Sequence, residues 1–340
     1  MVEKHYTIKD IAREAGVSPA LVSFALNNKN ENGSMRYKVN KDTAKRILDI
    51  AKAHNYKPNN AARSLRLRRS RTIGVILSDI SNDFFSGIAR RIENEAFQAN
   101  YSVLFGSTDE NAEKLELIIN TFLDNGADGL IIVPCENSEG VIARLAKRQI
   151  PMVLLDRDVD VADVNKVLLD NELAAKMAVQ RLCENGRKSV AMVSYKMELS
   201  NIRHRESGYV DSVSEQGGVP KVYRADYSNL EESVKEVIEA VEADGADAIL
   251  FATNSLSVAG IKALGKRGAS IPEDVAVVAF DGSEVFDLFP TSIAYIKQPI
   301  EDFAHTALGL VIDQIDNPEL EKKTVLLSPE IIGGESLGGE

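Results

Sequence analysis

Beyond residue 72, side chains able to bind a polar ligand recur at one kind of place, just after a short apolar run. Ser78 and Asp79 follow residues 73–77, with Asn82, Phe84 and Phe85 close behind. Asp156 follows residues 152–155, Asn254 follows 248–251, and Asp281 follows 275–279. Arg205 opens Arg-Glu-Ser-Gly208-Tyr209 on a helical pattern, and Tyr227 stands in a loop after a strand-like run. Two carboxylates, an arginine, an amide and aromatic rings suit a polyhydroxylated molecule: polar groups take hydroxyls and rings take apolar faces. Spacing alone leaves a second account open, because Asp and Asn after strands are common caps and turn formers.

A second set of residues points to a polyanion. Residues 1–72 carry 16 Lys and Arg against 6 Asp and Glu, whereas residues 73–340 carry 24 against 45. The overall net charge of −11 therefore conceals a basic module on an acidic body. Residues 63–71 hold five arginines in nine positions. After Pro58 this stretch is too short and too charged to form a core helix alone, but it can order on DNA as phosphates neutralise it. Leu65 within it is either an apolar wedge for a minor-groove base step or a residue packed on its neighbours.

The elements that must position these groups are legible from periodicity. Thr7 with Asp10 resembles a capping box, and Ile8, Ile11, Ala12 and Ala15 form one apolar face. Gly16 permits the left-handed residue that ends this helix, and Val17 can plug the core. Ser18 suits an N-cap and Pro19 the first helical position, with Leu21, Val22, Ala25 and Leu26 inward. A third amphipathic helix is predicted at about 41–54, with Ala44, Ile47, Leu48 and Ala51 inward. Two short helices joined at a glycine can lay the second in a DNA major groove.

From residue 72 onward, strand-like runs (73–77, 102–105, 129–133, 152–155, 189–193, 222–224, 248–251, 275–279) alternate with helical patterns (84–99, 113–125, 202–215, 230–243, 257–267). This is the rhythm of parallel sheets covered on both faces. It pauses over 156–170 and restarts, which predicts two similar lobes. Such sheets bind ligands beyond the carboxyl ends of their strands, where the candidate residues stand.

Other classes are disfavoured. No GxGxxG or P-loop is present, and His5, His54, His204 and His305 are dispersed, so no enzyme, cofactor or metal site is expected. Cys135 and Cys183 fit no zinc spacing and are expected as buried thiols. No run approaches 18 apolar residues, the N-terminus reads as no signal peptide, and the expected compartment is the cytoplasm.

The run Thr7-Ile-Lys-Asp-Ile-Ala-Arg-Glu-Ala-Gly-Val-Ser18, then Val22-Ser23 and Leu26-Asn27, then Tyr56-x-Pro58-Asn59 through Ala62-Arg63-Ser64-Leu65, then Arg71-Thr-Ile-Gly-Val-Ile76, resembles the lac repressor (LacI/GalR) family of transcription factors. The likeness spans nearly the whole chain. It implies a small all-α helix-turn-helix head plus an α/β two-lobe, periplasmic-binding-protein-like body with parallel sheets. The expected domains are a DNA-binding head at 1–57, a hinge helix or linker at 58–71, and an effector-binding and dimerisation domain at 72–340. Lobe one would hold about 72–165 and 300–327, and lobe two about 166–299 and 328–340, with chain crossings near 160–170, 296–300 and 325–330.

Carried over residue by residue, the resemblance implies DNA contacts from Thr7, Ser18, Pro19, Ala20, Ser23, Phe24, Asn27, Asn59, Ala62, Arg63, Leu65 and Arg66. It implies effector contacts from Ser78, Asn82, Phe84, Phe85, Asp156, Arg205, Tyr227, Asn254 and Asp281, and adds Gln298 of Ile-Lys-Gln-Pro. The expected protein is a homodimeric regulator, a repressor in most relatives, of a palindromic operator. Its effector would be a sugar or sugar phosphate, with a nucleobase second. No leucine-heptad tail follows residue 320, so no tetramer is expected.

Three departures stand out. Pro19, Ala20 and Phe24 occupy positions that relatives fill with polar groups, which predicts weak or A·T-biased half-site reading and more selectivity at the hinge. The turn at 28–38 is longer than usual; Lys29, Arg36 and Lys38 there either meet phosphates or lie on a solvated insertion. Ser255 stands where relatives often have Asp. The rival readings are a transport-type sugar-binding protein, which would not carry residues 1–72, and a DNA-bending protein without an effector.

Overall fold

The computed structural model describes residues 6–26, 39–56 and 69–338, and the chain divides after Ser70 into two compact units. In the first unit, α1 (Ile8–Glu14), α2 (Pro19–Leu26) and α3 (Lys41–Ala53) close on Ile11, Ala12, Ala15, Val22, Ala25, Val39, Ile47 and Ala51. Thr7 and Asp10 form the reciprocal capping box. Gly16, at φ +63°, ends α1: the Val17 N–H donates to the Ala12 carbonyl at 2.9 Å and the Gly16 N–H to that of Arg13 at 3.3 Å. Ser18 Oγ accepts from the Leu21 N–H at 3.2 Å and caps α2.

Leu48, expected inward, is 49% exposed, and Ile50 packs on the core instead. The C-terminal end of α3 meets Tyr6 and Glu14. His54 stacks on Tyr6 with ring centroids 3.8 Å apart, and its Nε2 lies 3.1 Å from Glu14 Oε2. Tyr6 also donates its phenol proton to Glu14.

The second unit repeats one plan. Sheet one contains β1 (Thr72–Leu77), β2 (Ser102–Ser107), β3 (Gly129–Ile132), β4 (Met152–Leu155) and β5 (Asn165–Leu169). Sheet two contains β6 (Val190–Tyr195), β7 (Lys221–Ala225), β8 (Ala248–Phe251), β9 (Ala276–Phe280) and β10 (Ala294–Lys297). Each gains a late strand, β11 (Thr324–Leu327) and β12 (Glu330–Ile332) respectively. The orders are β2-β1-β3-β4-β5-β11 and β7-β6-β8-β9-β10-β12, parallel throughout except for β12, which runs against β10. The strands β1, β3, β4, β6, β8 and β9 are almost wholly buried, as sheets covered on both faces require.

The covering helices are α4 (Asp83–Gln98), α5 (Ala112–Asp124), α6 (Glu139–Lys147), α7 (Asn171–Glu184), α8 (Ser200–Glu215), α9 (Leu230–Ala243), α10 (Asn254–Arg267) and α11 (Ile300–Asp316). Although late in the chain, α11 packs on α4 and on β3, β4 and β5. The chain therefore passes between lobes after β5, between β10 and α11, and between β11 and β12. Strand β5 occupies the stretch read as a pause, so sheet one runs through Leu169 rather than ending at about 165. Its far-side partner β11 lies some 160 residues away in sequence, which no local pattern reveals.

Lobe two depends on one close approach. A Cβ on Gly208 of α8 would sit 2.3 Å from the Glu172 carbonyl oxygen, so only glycine lets α8 lie this close to α7. Cys135 is buried as expected, but Cys183 is only partly so.

Candidate functional site

All ten body residues singled out in the sequence line one cavity at the carboxyl ends of the two sheets, about 600 Å³ including its open mouth. Lobe one supplies Ser78 after β1, Asn82 as the N-cap of α4, and Phe84 and Phe85 in its first turn. The two rings lie 5.1 Å apart and are nearly buried, a fixed apolar wall. Lobe two supplies Arg205 from α8, Tyr227 after β7, Asn254 at the start of α10, and Gln298 after β10. Tyr227 meets Tyr195 edge-on at 5.6 Å.

The two acids hold equivalent places. Asp156 follows β4, the fourth strand of its sheet, and Asp281 follows β9, the fourth of the other; both have φ +66°. That left-handed conformation is sparsely populated outside glycine, though Asp and Asn adopt it most readily. In both cases it turns the chain sharply at the strand end.

Arg205 is 3% exposed and feels the charge of both acids. Its Nε donates to Asn171 Oδ1 and its Nη1 to the Ala252 carbonyl, both at 2.7 Å, while its guanidinium lies 3.6 Å over the Phe280 ring. Burial lowers its pKa, although Asp156 and Asp281 pull the other way. Burial pushes Asp281 up to about 6 against the attraction of Arg205 and a hydrogen bond from Gln298 Nε2 at 2.8 Å. Burial also raises Asp156, opposed by Arg157, Arg205 and the Asn201 Nδ2 donor at 3.0 Å.

Two buried acceptors facing this space, Asp156 Oδ1 and Gln298 Oε1, have no hydrogen-bond partner. Buried acceptors without donors are costly, and a ligand that brings hydroxyl or N–H groups relieves that cost.

Sequence reasoning missed Glu110, Arg157, Tyr195, Met197, Leu199, Asn201, Ile202 and Thr253, which complete the lining. Arg157 is 7% exposed and forms a forked pair with Glu110, Nη1 to Oε2 at 2.7 Å and Nη2 to Oε1 at 2.8 Å. Its Nη1 also donates to the Pro134 carbonyl at 3.0 Å. A signal existed for Arg157, which directly follows Asp156; none local existed for Glu110, which arrives from the loop after β2. Among the described residues no group of three or more His, Cys, Asp or Glu is arranged to hold a metal ion. No helix among them is long and apolar enough to cross a membrane.

In the head, Ser18, Pro19 and Ala20 are exposed on α2, whereas Ser23 and Phe24 are partly buried. Phe24 packs against the head core, so it offers less surface to a ligand than its position on α2 suggests. Thr7 is exposed and caps α1. Asn27, Asn59, Ala62, Arg63, Leu65 and Arg66, together with Lys29, Arg36, Lys38 and most of the 58–71 hinge, lie outside the described residues.

A three-helix head with a glycine-turned helix pair, joined to a two-lobe receptor with a polar interlobe cavity, defines a ligand-responsive DNA-binding regulator. Residues 7–59 match the bacterial regulatory proteins of the lacI family, and residues 179–337 match a periplasmic binding protein-like domain. The ribose operon repressor of Halalkalibacterium halodurans is 31% identical over 340 residues, covering 98% of each chain. Catabolite control protein A of Priestia megaterium is 30% identical over 332 residues, covering 96% of this chain and 97% of its own. The fold matches the lac repressor dimer bound to operator and the anti-inducer ONPF, with TM-score 0.85, 21% identity and coverage of 99% and 100%. The chain belongs to the lacI family of bacterial regulatory proteins, and its relatives are transcriptional regulators rather than enzymes.

Proposed function

We propose that this protein is a cytoplasmic, non-enzymatic repressor that binds a palindromic operator as a homodimer and is controlled by a sugar or sugar phosphate in the interlobe cleft. The carrying observation is the convergence of ten side chains from both lobes, from strand ends and from neighbouring helices, on one cavity that holds unpartnered buried acceptors. Relatives named for ribose and catabolite control support the ligand class. The DNA contacts are assigned to α2 and to the arginine-rich hinge.

Control follows from where the lobes touch. Across the cleft, Asn201 donates to Asp156 at 3.0 Å, Ser200 Oγ accepts from the Asp158 N–H at 2.7 Å, and Ser283 Oγ donates to Asp83 at 3.1 Å. A ligand contacting both walls favours one lobe angle, and in a dimer that angle sets the separation of the two hinge segments. The ligand changes operator affinity only by its differential affinity for the two angles, typically about 1–3 kcal/mol.

The test is a calorimetric screen of sugars, sugar phosphates and nucleobases, repeated on Arg205→Ala. The reading expects a hit among the first two classes that the variant loses. Binding by nucleobases alone, or a hit that survives in Arg205→Ala, contradicts it.

A further inference from the structure

The cleft's cations are largely engaged by other protein groups. Its lining contains Asp79, Glu110, Asp156 and Asp281 but only Arg157 and Arg205 as bases. Arg205 feels the charge of Asp156 and Asp281 and gives Nε and Nη1 to Asn171 and the Ala252 carbonyl. Arg157 gives both Nη groups to Glu110 in the planar fork that a carboxylate or a phosphate would otherwise occupy. Both side chains of that pair are less than a tenth exposed.

The loop that delivers Glu110 is held in an uncommon shape. Asp109 and Glu110 are consecutive left-handed residues, at φ +50° and +58°. Such a conformation persists only where the surroundings enforce it. Here the Asp109 N–H donates to the Ser78 carbonyl at 2.7 Å, and the Asp109 carboxylate is held by Ser107 Oγ at 3.1 Å and by Lys114. The unpartnered buried atoms of the cleft residues include two acceptors, Asp156 Oδ1 and Gln298 Oε1, beside the Arg157 Nε donor and the Tyr195 hydroxyl. The two acceptors call for donors from a ligand, and the two Nη groups of Arg157, the fork an anion would take, are already filled by Glu110.

We propose that Glu110 is a specificity-determining residue that, by occupying both Nη groups of Arg157, makes this cleft selective for uncharged, hydroxyl-rich ligands and against phosphate esters. The proposal rests on the effector reading of the cleft and narrows it. A phosphate group brings acceptors and negative charge to a cavity already rich in both, and like-charge juxtaposition is a strong discriminator. Glu110 acts through Arg157, and its removal should change which ligand charge is accepted.

The test uses the full-length chain and its Glu110→Gln variant. Inorganic phosphate serves as the anionic probe in thermal unfolding, and a panel of free pentoses and hexoses is titrated beside their monophosphate esters. The native chain should show no stabilisation by millimolar phosphate and should bind a free sugar more tightly than its ester. Glu110→Gln should gain phosphate stabilisation and improve ester binding relative to the parent sugar by at least about tenfold. An ester bound more tightly than its parent sugar by the native chain overturns the proposal. So does a Glu110→Gln variant that folds and gains nothing toward phosphate or ester. If Glu110→Gln does not fold, the sugar-against-ester preference of the native chain decides alone. If no sugar binds the native chain but the variant gains phosphate binding, the effector reading fails and the role of Glu110 stands.

Discussion

The two lobes place an aspartate at the same point of the same plan, yet they support it differently. Asp281 in lobe two receives its hydrogen bond from Gln298, which follows β10 of its own sheet. Asp156 in lobe one receives its hydrogen bond from Asn201 on α8, across the cleft. The hydrogen bond to Asp281 is therefore independent of the lobe angle, whereas that to Asp156 lasts only while the lobes keep theirs, leaving it Arg157 of its own lobe, 3.6 Å away. The difference bears on the proposed effector site: Asp156 is the acid whose hydrogen bond depends on closure, and Asp281 the one whose hydrogen bond does not.

The largest effect that bears on this contrast comes from the residue both acids share. Arg205→Ala leaves two carboxylates without their common cation and strands Asn171 and the Ala252 carbonyl. It should abolish ligand binding and destabilise the body by about 3–5 kcal/mol, measured by urea unfolding. If ligand binding persists, the two acids do not act as one site.

Next come the acids themselves. Asp156→Asn should weaken effector binding by roughly 10–100-fold and also reduce the effector's influence on DNA. Asp281→Asn should weaken binding while keeping the coupling between ligand and operator. Equal loss of coupling in both variants would erase the distinction between the lobes.

The pH behaviour sharpens it further. The Asp281 pKa rises from 3.8 to about 6 on folding, so the folded chain holds that proton more tightly. This contribution to stability is full below about pH 4 and is lost as pH rises through about 6. Thermal unfolding of Asp281→Asn should lack that part of the pH dependence. An unchanged profile would show that the carboxyl is hydrated rather than buried.

A smaller effect tests the scaffold of lobe two. Gly208→Ala sets a Cβ against the Glu172 carbonyl and should cost about 1–3 kcal/mol by unfolding, with weaker ligand binding as α8 shifts Arg205. The smallest concerns the head, where Thr7→Ala removes half of the capping box and should cost about 1 kcal/mol. Operators changed at the half-sites should lose less affinity than operators changed at the central step, because Pro19 and Ala20 carry no base-pairing polar group.

Much of this arrangement was legible in the sequence, for a physical reason. Parallel sheets bring the ends of distant strands together, so strand periodicity puts Ser78 with Asp156 and Asn254 with Asp281 at the ends of two sheets, and the family resemblance joins the two sets in one site. The capping and glycine signals of the head are local, and they hold. What stayed hidden depends on tertiary approach. Glu110 is recognisable only once Arg157 stands opposite it, Asn201 only once the lobes face each other, and β5 only once β11 returns to flank it. Leu48 shows the same limit at small scale: Ala44, Ile47 and Ala51 of α3 face the core as their spacing predicts, but Leu48 at the edge of that face is exposed while Ile50 packs in.

The central claim is that occupancy of the cleft governs the head through Asp156. It is tested most directly by operator titration of the full-length chain with and without the best sugar from the calorimetric screen, repeated on Asp156→Asn at saturating ligand. The account predicts a ligand-dependent change in operator affinity of about 5–150-fold in the native chain and its near disappearance in the variant. Operator affinity indifferent to ligand in the native chain, or a full response retained in Asp156→Asn, would contradict it.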